Sequence, residues 1–340
     1  MDFKKLHQFV TDKNLPQFRE KQIRRAFFVG LANDWNEVTV LSKDLREELE
    51  REIPFSSVKE ERFFKKKKDD SVKVSLKLEN GDFVETVLIK HKDGRRTVCV
   101  SSQVGCSMAC AFCATGQSGF KRDLEADEIV DQVIFFARFL KSMDEKVTNI
   151  VFMGMGEPLL NYDNVLRAIK VLNDKEGFNL GARHMSISTC GIVPGIEKLA
   201  KEKLQINLAL SMHAPTDTLR GKFMPINARY NIEEALKAVD DYIRKTNRRV
   251  MIEYLLIKNL NDKEEDAEKL SEIFKTRSLC YINLIPYNAT DSKFLSSPRE
   301  NIQKFANVLR KNKIKYTIRH SFGGAIEAAC GQLARKTWKT

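Results

Sequence analysis

Three hydrophobic rhythms follow one another along the chain. Over roughly the first 55 residues apolar positions recur at helical spacing, in FKKLHQFV, LPQFREKQIRRAFFVGL and SKDLREELEREI, the last opened by Ser42 in the place of a cap. Short amphipathic helices are predicted there. Between Val72 and Val100 polar and apolar residues alternate, with turn pairs at Asn80-Gly81 and Asp93-Gly94, which predicts a β-hairpin or small meander. From Cys99 onward strand-like runs (VCVSS, NIVFMG, HMSIST, INLALS, RVMIEYLLI, YINLIP and KYTIRH) are separated by amphipathic segments of helical length such as DEIVDQVIFFARFL and IEEALKAVDDYIRK.

Repeated β then α with short connections implies a parallel sheet, and the number of units suits a barrel better than a short doubly wound sheet. The predicted fold class is therefore α/β. A partial (β/α)6 TIM-like barrel is expected over residues 99–340, preceded by a helical accessory region over 1–55 and a β-rich extension over 56–98. In such a barrel the chemistry belongs at the C-terminal ends of the strands.

A chain of 340 residues with 42% hydrophobic and 31% charged residues is an ordinary globular composition. No apolar run approaches the ~20 residues needed to cross a bilayer. The N-terminal stretch lacks an apolar core and cleavage site for export, so a cytoplasmic setting with reduced thiols is expected. Seven cysteines there point to metal binding or catalysis before a disulfide framework. The net charge of +12 suits a polyanionic partner. From Arg310 to Thr340 eight Lys or Arg face a single acid, Glu327, making this end a candidate electrostatic footprint, whereas Lys65 to Lys68 in KKKKDD reads first as a solvated loop. No apolar seam stands out, so a monomer is expected.

Chemistry concentrates in GCSMACAFCATG, where Cys106, Cys110 and Cys113 form C-x3-C-x2-C after the first barrel strand. A structural zinc site would close with a fourth Cys or His, usually from a second pair. No such pair exists: Cys99, Cys190, Cys280 and Cys330 form no C-x2-C, and the five histidines are scattered. Three thiolates on a four-iron cubane instead leave one iron open to an outside ligand, and S-adenosylmethionine carries the amino and carboxylate groups to chelate it. With Phe112 before the last cysteine, the loop resembles the radical S-adenosylmethionine (radical SAM) superfamily. That resemblance implies one 4Fe-4S cluster held by three cysteines, with S-adenosylmethionine bound beside it.

The segment MGMGEPLLN follows the second barrel strand. Gly156 permits close backbone approach, and Glu157 offers a carboxylate to an ammonium group. Taken alone, Glu157 fits equally as a cap for a helix starting near Asn161, and His213 as a satisfied structural histidine. Longer stretches, PQFREKQI, VETVLI, CVSSQVGCSMACAFC, LSMHAPTD, MPIN and EAACGQL among them, make the chain similar to the adenosine methyltransferases of large-subunit ribosomal RNA over nearly its whole length. This resemblance implies that Gly156, Glu157, Ser188, Ser211, Met212, His213 and Asn288 line the S-adenosylmethionine site. It further implies that Cys330 carries the methyl group, that Cys99 resolves the intermediate through a transient disulfide with Cys330, and that Glu85 accepts the ring proton. Two molecules of S-adenosylmethionine are then used per turnover.

From the residues alone, Cys99 is a buried core thiol, Cys330 a helix-end residue, Glu85 an exposed strand carboxylate, and Cys190 and Cys280 are buried without a role. Pro158 matches the branch of the family that acts on carbon 2 of the adenosine, against a branch with Ala in this place that acts on carbon 8 and confers antibiotic resistance. Some carbon 2 enzymes also act on an adenosine in the anticodon loop, so transfer RNA joins 23S ribosomal RNA as a candidate partner. A flavodoxin-type electron donor is implied as well. Two other classes remain, a different radical enzyme and a non-catalytic RNA-binding protein, and intact Cys99, Cys330 and Glu157 speak against both.

Overall fold

The computed structural model describes residues 1–66, 70–290, 292–319 and 326–333. Three helices open the chain: α1 (Phe3–Asp12), α2 (Phe18–Phe28) and α3 (Lys43–Glu52). Asp2 caps α1 by accepting from the Lys4 and Lys5 N–H groups at 2.9 and 3.0 Å, and Ser42 caps α3 as its sequence position predicts. Phe3, Phe27 and Phe28 stack edge and face on one another, with Arg138 lying over Phe27 and Phe55. The helices thus sit against the body of the protein by aromatic packing. No helix among the described residues is long and apolar enough to cross a membrane.

Four antiparallel strands follow: β1 (Val58–Lys65), β2 (Ser71–Leu78), β3 (Phe83–Lys90) and β4 (Arg96–Cys99). Gly81 and Gly94 turn the predicted hairpins at φ +83° and +89°. The sequence pattern did not announce β1, because VKEERFFK exposes most of its charged length and so lacks a half-buried alternation. The run Lys65 to Lys68 spans the end of β1 and the β1–β2 link, of which Lys67 and Lys68 lie outside the described residues.

A short hairpin, β5 (Gln103–Gly105) with β6 (Phe120–Asp123), brackets the cysteine loop and the four-residue helix α4 (Ala114–Gln117). Thereafter α5 (Ala126–Lys141), β7 (Asn149–Phe152), α6 (Tyr162–Asn173), β8 (Met185–Thr189), α7 (Val193–Leu199), β9 (Asn207–Ser211), α8 (Asp217–Arg220), α9 (Ile232–Thr246), β10 (Val250–Leu256), α10 (Glu264–Phe274), β11 (Cys280–Pro286), α11 (Arg299–Lys311) and β12 (Tyr316–Ile318) alternate as predicted. Capping boxes start α5 at Glu125–Glu128 and α9 at Asn231–Glu234. β4 and β7 through β12 are parallel neighbours in chain order, and the ten-stranded sheet ends at β1 and β12 without closing among the described residues. The barrel is therefore partial. Its seven parallel strands, β4 and β7 through β12, correspond to the seven strand-like runs of the sequence, with β12 lying in KYTIRH. Of the basic C-terminal end, Arg335, Lys336 and Lys339 lie outside the described residues.

Candidate active site

Successive residues of a strand face opposite sides of the sheet, so register decides which side chains meet. Val87 lies opposite Lys73 on one side and Cys99 on the other; Cys99 faces Val151, and Val151 faces Ser186. Two residues on, Ser188 pairs with Ala209, Ala209 with Met251, Met251 with Tyr281, and Asn283 with Thr317. Stepping in twos, one face of the whole sheet carries Lys73, Glu85, Cys99, Ser188, Ser211, Glu253, Asn283 and Arg319. Branched apolar residues fill the interior of a barrel that serves only as a core. This polar face marks a binding site instead.

At the C-terminal end of that face lies a cavity of about 170 Å³ lined by Cys106, Cys110, Cys113, Gly156, Glu157, Ser188, Ser211, His213 and Cys330. The hairpin sets the cysteine loop. Gly105 has φ +77°, and a Cβ there would lie 1.9 Å from the Gly119 carbonyl oxygen, so only glycine fits. The Cys106 N–H donates to that same carbonyl at 2.8 Å. Burial pushes the Cys106 thiol up to about 12 and raises Cys110 and Cys113 as well. Thiolates in such a place persist only against a cationic centre. Among the described residues no three His, Cys, Asp or Glu side chains converge as a single ion requires. Three thiols around one cavity, two of them buried and Cys113 half-buried, suit the corners of a cluster.

Glu157 is buried at the cavity wall, where its two oxygens accept from the Leu159 N–H at 3.0 Å and the Cys190 N–H at 2.8 Å. Burial raises its carboxyl and these N–H groups oppose the shift. It does not cap α6, whose N-cap is Asn161. Gly156, at φ +102°, leaves no room for a Cβ against Gln103, and Gln103 in turn accepts the Glu157 N–H at 2.8 Å. Gln103 is thus a site-building residue that motif reading passed over, and Cys190, read as a buried thiol without a role, is buried as expected but supplies its backbone N–H to Glu157. Cys190 follows β8, whereas Cys280 opens β11 at the opposite end of the strands and keeps its place as a buried thiol. Arg220 is the other omission. Fully buried, it donates to the carbonyls of Cys190 (2.6 Å), Met212 (3.2 Å) and Ser211 (3.4 Å), clamping the ends of two cavity strands, β8 and β9, together.

His213 is a satisfied histidine that also borders the cavity. Its Nδ1 accepts the Leu255 N–H at 3.1 Å, which leaves the proton on Nε2, and its ring lines the cavity edge-on to Phe112 at 5.1 Å. Burial, then Arg220, pull its value from 6.5 down to about 3. The folded value lies below the unfolded one, so stability held above pH 6.5 is lost as the pH falls toward 3. The expected slope approaches ~1.4 kcal/mol per pH unit. Urea unfolding of apo-protein carrying His213→Asn should lose stability less steeply between pH 6.5 and 5 than the unaltered chain; parallel curves would mean that the ring is not held neutral by burial.

Met212 is buried but lines neither this cavity nor the small void beside it, so its side chain does not form the wall that was expected of it. Asn288 lines the adjoining void, its amide 3.4 Å from the Cys330 carbonyl oxygen. Cys99 lines that void too, and Cys330 lines both spaces. Burial first, then the neighbouring Cys330, push the Cys99 thiol up to about 12, with Arg319 acting in the opposite direction. All seven cysteines are free, so the expected Cys99–Cys330 disulfide is not formed here and both sulfurs are reduced. Arg319 is the one cation among the described residues that borders both spaces, and its guanidinium makes no hydrogen bond among them. Across the cavity, Glu253 is buried with Oε1 unpartnered while Oε2 accepts from Asn283 at 2.8 Å. Glu85 is not the exposed carboxylate its residue type suggests. It is buried and ion-paired with Lys73 at 3.1 Å, outside the lining of either space.

Comparison with known proteins agrees with this geometry. Residues 100–270 match the radical SAM superfamily. The chain is 43% identical over 335 residues to a ribosomal RNA large subunit methyltransferase N of Nitrosopumilus maritimus, covering 96% of this chain and 95% of that one. It is 43% identical over 340 residues to a probable dual-specificity RNA methyltransferase RlmN of a Thermoanaerobacter species, covering 100% and 98%. The crystal structure of a radical SAM methyltransferase from Sphaerobacter thermophilus superposes with a TM-score of 0.94 at 41% identity, covering 98% of this chain and 97% of that one. The chain belongs to the radical SAM superfamily and, within it, to the family of the RlmN-type RNA methyltransferases.

Proposed function

We propose that this enzyme methylates carbon 2 of an adenosine in 23S ribosomal RNA, and an adenosine of the anticodon loop in certain transfer RNAs, through a methyl group carried on Cys330. Membership of the superfamily implies a 4Fe-4S cluster and S-adenosylmethionine. Cys106, Cys110 and Cys113 would hold the cluster, which when bound supplies the electron that cleaves S-adenosylmethionine to a 5'-deoxyadenosyl radical. Glu157 would bind the amino group of S-adenosylmethionine, with Gly156, Ser188, Ser211, His213 and Asn288 around the rest. Two such molecules are used per product, one as methyl donor and one as radical source.

One observation carries the reading: Cys330 borders both the cavity of the three cysteines and the void that holds Cys99. A thiol so placed can take a methyl group on one side and be attacked by a second thiol on the other. Carbon 2 of adenine has no lone pair with which to displace a methyl group from S-adenosylmethionine, so direct transfer is closed to it and a radical route through Cys330 fits this product. Glu85 accepts the ring proton, and the Cys99 thiolate attacks the Cys330 sulfur so that an S–S bond forms as the S–C bond to the RNA breaks, the electron pair of that bond passing to the RNA-bound methylene, which takes up a proton to become the methyl group. The target base must first be splayed from its stack. We assign that grip to the helical region 1–55 and the basic C-terminal end, with 56–98 bridging to the barrel over 99–340. Pro158 favours carbon 2 over carbon 8. A monomeric cytoplasmic enzyme served by a flavodoxin-type donor completes the proposal.

Mass spectrometry of the anaerobically reconstituted enzyme with S-adenosylmethionine and a 23S ribosomal RNA fragment tests it. Methylated Cys330 together with 2-methyladenosine is the expected result. 8-Methyladenosine would transfer the enzyme to the other branch. S-Adenosylmethionine cleavage with Cys330 unmodified would overturn the methyl-carrier role.

A further inference from the structure

Lysine is among the residues least often fully buried, yet Lys73 is only 4% exposed in the middle of β2. Its ammonium group is saturated from three directions. It lies 3.1 Å from a Glu85 carboxylate oxygen, donates to the Glu327 carbonyl at 3.1 Å, and sits 4.9 Å from the centre of the Phe64 ring. Register explains the first contact: Lys73 faces Val87 and Ser75 faces Glu85, which makes Lys73 and Glu85 diagonal neighbours on the inward face that Cys99 shares. The second contact reaches far along the chain. Glu327, at φ +51°, stands three residues before Cys330.

The segment that follows is pinned from two further sides. The Ala114 N–H donates to the Gly331 carbonyl at 2.8 Å and the Thr115 hydroxyl to that of Leu333, which fastens it to the cysteine loop. The Gln332 amide donates to the Ala289 carbonyl at 2.7 Å, which fastens it to the loop after β11. Lys73 supplies the remaining anchor, on the side of Glu85.

We propose that Lys73 is a positioning residue of the methyl-release step: it holds the Glu85 carboxylate charged and fixes its place relative to the segment that presents Cys330. This rests on the reading of Glu85 as proton acceptor. A buried carboxylate without a cation would take up a proton and cease to be a base. With Lys73 beside it, Glu85 stays ionised until the ring proton arrives, and the same ammonium group sets its distance from the methyl carrier. Transfer of the methyl group from S-adenosylmethionine to Cys330 needs no such base, so the two half-reactions respond differently to loss of the charge.

Lys73→Gln, Lys73→Arg and Glu85→Gln should therefore be compared in reconstituted holoenzyme, following Cys330 methylation by peptide mass spectrometry and the covalent RNA–protein species on denaturing gels. Lys73→Gln is expected to methylate Cys330 within ~3-fold of the unaltered rate while release slows ~30-fold or more, within the range of general-base effects, so that the covalent species accumulates. Lys73→Arg, which keeps the charge, should restore most of the release rate. Release by Lys73→Gln at the unaltered rate would overturn the proposal. So would an equal fall in both half-reactions, or failure of arginine to rescue, since these mark a merely structural lysine. Glu85→Gln separates the two ideas: if it accumulates the covalent species and Lys73→Gln does not, the base stands and the positioning role falls, whereas release by Glu85→Gln at the unaltered rate removes the base itself.

Discussion

Alanine in place of Cys99 is expected to leave the enzyme joined to its RNA. Cys330 should still be methylated, because Cys99 lies in the void on the far side of Cys330 from the cluster cysteines. Release should fail, because no other cysteine lines that void. Multiple-turnover product should fall by roughly 10⁴-fold, the scale on which loss of an essential nucleophile is felt. Truncating one thiol in so small a void costs the fold little, ~1 kcal/mol, so a folded, RNA-bound protein resistant to denaturing electrophoresis is the observable. Normal turnover by Cys99→Ala would remove the resolving thiol from the mechanism. The same geometry implies a slow chemical step. A thiol pushed up to about 12 by burial is almost wholly protonated at neutral pH, and Arg319 is the nearby charge that favours its ionised form.

Glu157→Gln should have the next largest effect, although the two side chains have the same shape. Both carboxylate oxygens accept backbone N–H groups, from Leu159 and Cys190. A glutamine, in either orientation, turns its NH2 toward one of these donors and leaves an N–H unsatisfied, at a cost of ~1–3 kcal/mol. It also removes the charge offered to an ammonium group, a further ~1.5–3 kcal/mol in binding, or roughly 10- to 100-fold in Kd. Equilibrium binding of S-adenosylmethionine to the reconstituted enzyme, with thermal unfolding alongside, separates these two losses. Unchanged affinity would show that Glu157 only builds the turn.

Much of the architecture was legible because period and turn chemistry agreed locally. Asn80-Gly81 and Asp93-Gly94 demand positive φ, and the strand runs from NIVF to KYTI carry enough β-branched residues to declare themselves. The strand β1 was not legible, since its charged side chains face solvent and only Val58 is buried. The cysteine loop was visible as a spacing, and the structure gathers Cys106, Cys110, Cys113 and Cys330 about one cavity. What the spacing could not give was the supporting shell. Gln103, Cys190 and Arg220 act through hydrogen bonds to groups distant in sequence, and Glu253 and Arg319 join the site only through alternation along β10 and just past the end of β12. Glu85 was misjudged from its residue type, because the lysine that makes its burial tolerable lies on a different strand.

The shared inward face also dictates how the protein can change in length. One residue inserted in β10 ahead of Glu253 would turn that carboxylate outward and bring its neighbour into the cavity, and a matching slip in β4 would carry Cys99 away from Cys330. A two-residue insertion keeps the alternation but lifts the site by about 7 Å along the strand, out of reach of the cysteine loop. Length variation is thereby confined to the helices and to the connections at the opposite end of the strands, where a domain could be added or a loop extended without moving a single reacting atom.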